Sequence, residues 1–100
     1  MRTELALRPR LAGHLAGLRG KAIPLRQEVE RVLREGGEVV LDFRDVEVTQ
    51  SFVDELVGCL VLKHGPRVLE RLVFQRCSPN VRAIVEFVAA DRVDQFLKAH

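Results

Sequence analysis

Between residues 42 and 55 the chain gathers Asp42, Asp45, Glu47, Ser51, Asp54 and Glu55, with Arg44 the only cation among them. Clustered carboxylates at a strand end are oxygen donors of the kind a hard cation uses. The plainer reading is stronger: Asp42 bonds to loop amides, Asp54 and Glu55 complement a helix dipole, and the others are solvated. To act as a nucleophile, Ser51 would need a base within reach. The histidines His14, His64 and His100 are scattered, and His64 falls at the far end of the helix that Ser51 opens, about 20 Å away at ~1.5 Å per residue. Gly13, Gly17 and Gly20 match neither a Walker A loop nor the dinucleotide fingerprint. Cys59 and Cys77 have no Cys or His neighbour at metal-ligand spacing. No catalytic residue, metal or cofactor is expected, and the chain reads as a non-enzyme.

The elements that must position Ser51 are a strand, a loop and a helix. Val39-Val40-Leu41 is apolar on consecutive residues and leads into Asp42-Phe43, which suits a strand covered on both faces. Arg44 to Gln50 reads as a short polar connection. Ser51 is then well typed as an N-cap, its hydroxyl accepting from an amide at Val53 or Asp54. The helix from Phe52 to about His64 would bury Phe52, Leu56, Cys59 and Leu60, with Asp54 and Glu55 in its first turn. Gly58, in mid-helix, costs about 1 kcal/mol against Ala and implies close packing against the sheet or clearance for a partner helix. Ligands and partners of open α/β sheets tend to be met at such a loop.

These residues resemble a known family. Leu41-Asp42-Phe43, Val46 and Ser51-Phe52-Val53-Asp54-Glu55-Leu56-Val57-Gly58 are similar to the STAS-like domain family of unknown function. The likeness runs back to Gly20, Leu25-Arg26 and Val29, and forward through Leu72-Val73-Phe74 and Val81 to Phe87. It implies a small α/β sheet with helices and no reaction. More distantly, the stretch resembles the STAS anti-sigma-factor antagonists. In that family an Asp-Ser-Ser-Gly motif opens the helix, and its first Ser is phosphorylated by a partner kinase of the histidine-kinase ATPase type. Ser51 falls on that Ser, with Gln50 in place of the Asp and Phe52-Val53 in place of Ser-Gly. A phosphate there would meet free helix amides and also Asp54 and Glu55.

One hundred residues, 47% apolar and 30% charged, fit a single globular domain over 1–100. No apolar run suits a membrane span, and Met1-Arg2-Thr3-Glu4 lacks a signal-peptide core, so the cytoplasm is the expected compartment. A cytosolic chain argues against a disulfide, and Cys59 reads as a small buried hydrophobe. The net charge of +2 is uneven: residues 1–26 are basic and 42–55 acidic, complementary surfaces for a homodimer or a charged protein partner. Nucleic acid is disfavoured, because Tyr and Trp are absent and no binding motif is present.

In chain order, residues 3–8 alternate as an edge strand ended by Pro9. Residues 11–21 read as a loop or a short helical turn. Leu25, Val29, Val32 and Leu33 set one face of a helix over 22–35 with Pro24 in its first turn, a Glu30–Arg34 pair on the wet face, and a left-handed glycine at Gly36-Gly37 as cap. Residues 69–75 read as a strand. Ser78-Pro79 opens a helix to about Ala89, and Asp91 caps a last short helix. The whole is α/β: a small STAS-like domain with a mixed or mostly parallel sheet of three or four short strands, the first of them antiparallel if the sheet is mixed, and helices mainly on one side. The resulting functional reading is a regulatory module binding a protein partner through Ser51, Phe52, Asp54, Glu55, Gly58 and Asp42, with Ser51 a phosphorylatable switch by resemblance. The alternative is a small-molecule or nucleotide sensor using the same loop.

Overall fold

The computed structural model describes residues 1–11, 15–16 and 19–99; His14, His100, Gly13 and Gly17 lie outside them. Three strands, β1 (Arg2–Ala6), β3 (Glu38–Asp42) and β5 (Leu72–Gln75), form one sheet in the order β1-β3-β5. Both pairings are parallel, with Leu5, Leu41 and Phe74 abreast. The first strand is therefore an edge, as its pattern suggested, and it is parallel. Two further pairs of residues, β2 (Leu15–Ala16) and β4 (Glu47–Val48), make a short parallel ribbon, so the 44–50 connection contains a strand that its polar sequence hid.

Stepping one way across the sheet, crossovers of one hand lay their helices on one face. The burial pattern agrees. Leu5, Val39, Leu41 and Leu72 enter the core, whereas Arg2, Glu4, Ala6, Glu38, Val73 and Gln75 on the opposite face are exposed. Val40 is also buried, but it is not part of the core cluster. The consecutive apolar run Val39-Val40-Leu41 thus reflects a central strand flanked on both edges, with Glu4 and Val73 abreast of Val40, rather than helices on both faces.

Helix α1 spans Arg19–Arg34, three residues earlier than the proline suggested. Pro24 lies in the second turn; the acceptor it leaves without a donor is the carbonyl of exposed Gly20, which faces water. The C-terminus closes as expected: Gly36 has φ +84, its amide donates to Leu33 and that of Gly37 to Val32.

The next helical run is continuous but not uniform. α2 (Gln50–Val53) passes into a π turn (Asp54–Gly58) and then α3 (Cys59–His64). The Cys59 amide donates to the carbonyl of Asp54, five residues back. This rod packs against α1 on one side. A 3-10 segment, Pro66–Arg71, leads into β5, which starts at Leu72 rather than residue 69. The last helix, α4 (Pro79–Ala99), is unbroken through Asp91 and lies across the rod. Ser78 caps it, accepting from the Val81 amide at 3.1 Å. Among the described residues no helix is long and apolar enough to cross a membrane.

Candidate functional site

The carboxyl ends of β1, β3 and β5 carry the loops on which the site is built. Asp42 closes β3 and is nearly buried. Its Oδ1 accepts from the Arg44 amide at 3.0 Å and from Arg76 Nε at 3.1 Å, and its Oδ2 accepts from Arg76 at 2.6 Å. Burial alone would raise this carboxyl; the Arg76 guanidinium and the Arg44 amide outweigh it and hold it below the ordinary value. The expected bond to a loop amide is present, and the partner Arg76 was not foreseen. Asp45, three residues past the end of β3, and Arg76, directly after β5, have φ of 57 and 55. These are the two left-handed non-glycine residues among those described, and such backbone costs about 1–3 kcal/mol each and persists only where its surroundings enforce it.

The helix cap is Thr49, not Ser51. Thr49 is extended, at φ −98 and ψ 162, and its hydroxyl accepts from the Phe52 amide at 3.2 Å. The short ribbon of β4 brings the chain into helical geometry two residues before the expected start. Ser51 is consequently a first-turn residue, exposed, with no side-chain hydrogen bond among the described residues. For the same reason Asp54 and Glu55 are not in the first turn but in the π turn.

Their partners are the main surprise of the site. Asp54 accepts from Arg19 at 3.0 Å and from Arg92 Nε at 2.7 Å. Glu55 accepts from Arg26 Nε at 3.1 Å and from the Cys59 thiol at 3.4 Å. Arg26 also reaches Glu30 at 2.8 Å. Glu30, expected on the wet face opposite Arg34, is instead buried and bonded to His64 at 2.9 Å and Lys63 at 3.0 Å. A chain of charges thus ties α1, the π turn, α3 and α4 together. Asp54 and Glu55 are committed to it and do not form an open acidic surface.

Phe52 is wholly buried, which removes its side chain from any partner-facing surface. Gly58 does not lie against the sheet. A Cβ there would meet Asp54 Oδ1 at 2.5 Å and Arg92 Cγ at 3.1 Å, so the glycine gives clearance for the Asp54–Arg92 pair beneath α4. Cys59 is half-buried beside a carboxylate rather than in the apolar core. Burial, with Glu55, pushes its thiol up, and burial does the same to Cys77, so neither is a ready thiolate. Among the described residues no group of carboxylates, histidines and cysteines is placed to hold a metal. Thr49 has a cap residue type that sequence reading could have weighed against Ser51. Arg19, Arg76 and Arg92 carry no local signal, since each meets its carboxylate from more than thirty residues away.

No curated protein and no solved structure matches the chain. A family model does match, over residues 21–82, described as a STAS-like domain of unknown function (DUF4325). The match takes in α1, β3, the Thr49–Ser51 turn, the π turn and β5, and by it the chain belongs to the STAS-like domain family of unknown function.

Proposed function

We propose that the protein is a non-catalytic regulatory domain that binds a protein partner at the carboxyl edge of its sheet, with Ser51 as the controlling position. The observation that carries this reading is the contrast between Ser51 and its neighbours. Phe52, Gly58 and Asp42 are buried, and Asp54 and Glu55 are ion-paired. Ser51 alone of the six presents a free polar group to solvent. The acids that would repel a phosphate there are offset by Arg19, Arg26 and Arg92. A phosphoryl group on Ser51 would add close to two negative charges at the positive end of the helix dipole and change the surface a partner meets. By family likeness, the partner proposed is an ATPase of the histidine-kinase type.

The test is capture from lysate of the source cells by wild type, Ser51→Ala and Ser51→Glu, joined to fragment mass spectrometry of the native protein across residues 45–63. The reading expects one partner retained by Ser51→Ala and lost by Ser51→Glu, with a phosphoryl adduct on Ser51 under some growth condition. Equal capture by all three proteins would discard it.

A second reading, a nucleotide or small-anion sensor, is favoured by two shallow clefts of ≈230 and ≈370 Å3 that share Arg44, Asp45 and Arg76. A ligand bound only by the folded state would raise the melting temperature with concentration. No shift with any nucleotide or small anion would remove this alternative.

A further inference from the structure

The bonding pattern of β3 decides which backbone groups of its neighbours stay free. The Glu38 amide donates to the carbonyl of Met1 at 2.8 Å, and the Leu7 amide donates to the carbonyl of Asp42 at 3.1 Å. Successive residues of a strand turn their polar groups to opposite sides, so Thr3 and Leu5 also face β3. Arg2, Glu4 and Ala6 turn their N–H and C=O groups outward, and among the described residues no strand pairs with that side of β1. On the other edge, the Phe43 amide donates to Gln75 at 2.9 Å, which leaves Leu72 and Phe74 facing out. The Leu72 amide is already given to Leu69. The β1 edge is therefore the longer free template for another strand.

Edge strands are commonly protected by like charges that repel a second copy. β1 differs. Arg2 and Glu4 share the open face two residues apart, are exposed, and make no ion pair among the described residues. Opposite signs at that spacing are self-complementary in an antiparallel pairing. A two-fold axis through Thr3 sets Arg2 opposite Glu4 of the second copy and Glu4 opposite its Arg2, and these are also the residues whose backbone groups point outward. An axis through Glu4 would allow more backbone bonds but would oppose two carboxylates, which is unfavourable.

We propose that the protein self-associates through β1, antiparallel, with Arg2 opposite Glu4 of the second copy, so that two three-stranded sheets become one continuous sheet. The junction lies at the amino ends of the strands. Ser51 follows β3 at the carboxyl ends, so its surface stays open in both copies, and the proposal does not depend on the reading of Ser51. The contact is small beside an ordinary interface of about 1,600 Å2, so the dimer should dissociate on dilution in the micromolar range.

Sedimentation equilibrium of the full chain over that range tests it, with hydrogen exchange of the Glu4 amide measured alongside. Wild type should dimerise, and protection of the Glu4 amide should rise with concentration. Arg2→Glu or Glu4→Arg places like charges in both cross-strand pairs and should weaken association by about tenfold or more. The double variant Arg2→Glu with Glu4→Arg restores opposite signs and should recover association. Both positions are exposed, and an unchanged circular dichroism spectrum checks that each variant is folded. A monomeric wild type, single variants that associate normally, a double variant that fails to recover, or Glu4 exchange independent of concentration would each overturn the proposal.

Discussion

Glu30 Oε2 lies 2.9 Å from His64 Nε2, closing the contact between α1 and α3 across 34 residues of sequence. Glu30 is only 4% exposed. Burial pushes it up, but hydrogen bonds from His64 and Lys63 and the charges of Lys63 and Arg26 prevail and hold it below the ordinary value of 4.5. A carboxyl whose folded pKa is depressed adds stability above its unfolded pKa and loses it as pH falls through the folded one. The stability difference between wild type and Glu30→Gln should therefore be fully present above about pH 4.5 and shrink below it. At neutral pH the substitution should cost about 1–3 kcal/mol. Urea unfolding at a series of pH values measures both, and a difference that grows on acidification would reverse the sign assigned to Glu30.

Capping separates Thr49 from Ser51. Thr49→Ala removes the acceptor of the Phe52 amide and should cost about 1 kcal/mol. Ser51→Ala removes nothing the fold uses and should stay within about 0.5 kcal/mol. Chemical unfolding of the two variants side by side decides the matter; the opposite ranking would return the cap to Ser51.

Phe52→Ala should lose about 3–5 kcal/mol, because the ring is fully enclosed by the core. That is a large part of the total stability of a small domain, about 5–15 kcal/mol. Lost partner capture in this variant would report unfolding, and a cost below about 1 kcal/mol would place the ring outside the core.

Gly58→Ala should change sign with its background. Alanine gains about 1 kcal/mol over glycine within a helix, but here the new methyl displaces Asp54 from Arg92. In wild type the substitution should destabilise. In an Arg92→Ala background, where the pair is gone and Asp54 is free to turn toward Arg19, the same change should stabilise by up to about 1 kcal/mol. Thermal unfolding of the four proteins supplies the cycle. A stabilising Gly58→Ala in wild type would show that the glycine does not serve the Asp54–Arg92 contact.

Much of the architecture was legible because it depends on near neighbours in the chain. The spacing of Leu25, Val29 and Val32 fixes the buried face of α1, Gly36 its left-handed cap, Ser78-Pro79 the start of α4, and Val39-Val40-Leu41 the central strand. Each signal is a local property of backbone conformation or side-chain period. The candidate site was less legible. Asp54 and Glu55 have the residue types of an open acidic surface, yet the sequence holds no trace of Arg19 and Arg92, which reach them from other helices.

From its sequence alone, this protein reads as an α/β domain with one polar strand–loop–helix at its centre, because apolar period and turn chemistry act over a few residues, and its motifs resemble the STAS-like family, whose family model matches residues 21–82. Only the tertiary structure decided that the first strand runs parallel, that Glu30 is buried and that Ser51 is free while Thr49 caps. Those outcomes depend on which side chains meet across the fold, and such a meeting is set by packing and Coulomb energies between segments far apart in the chain, which no local pattern records.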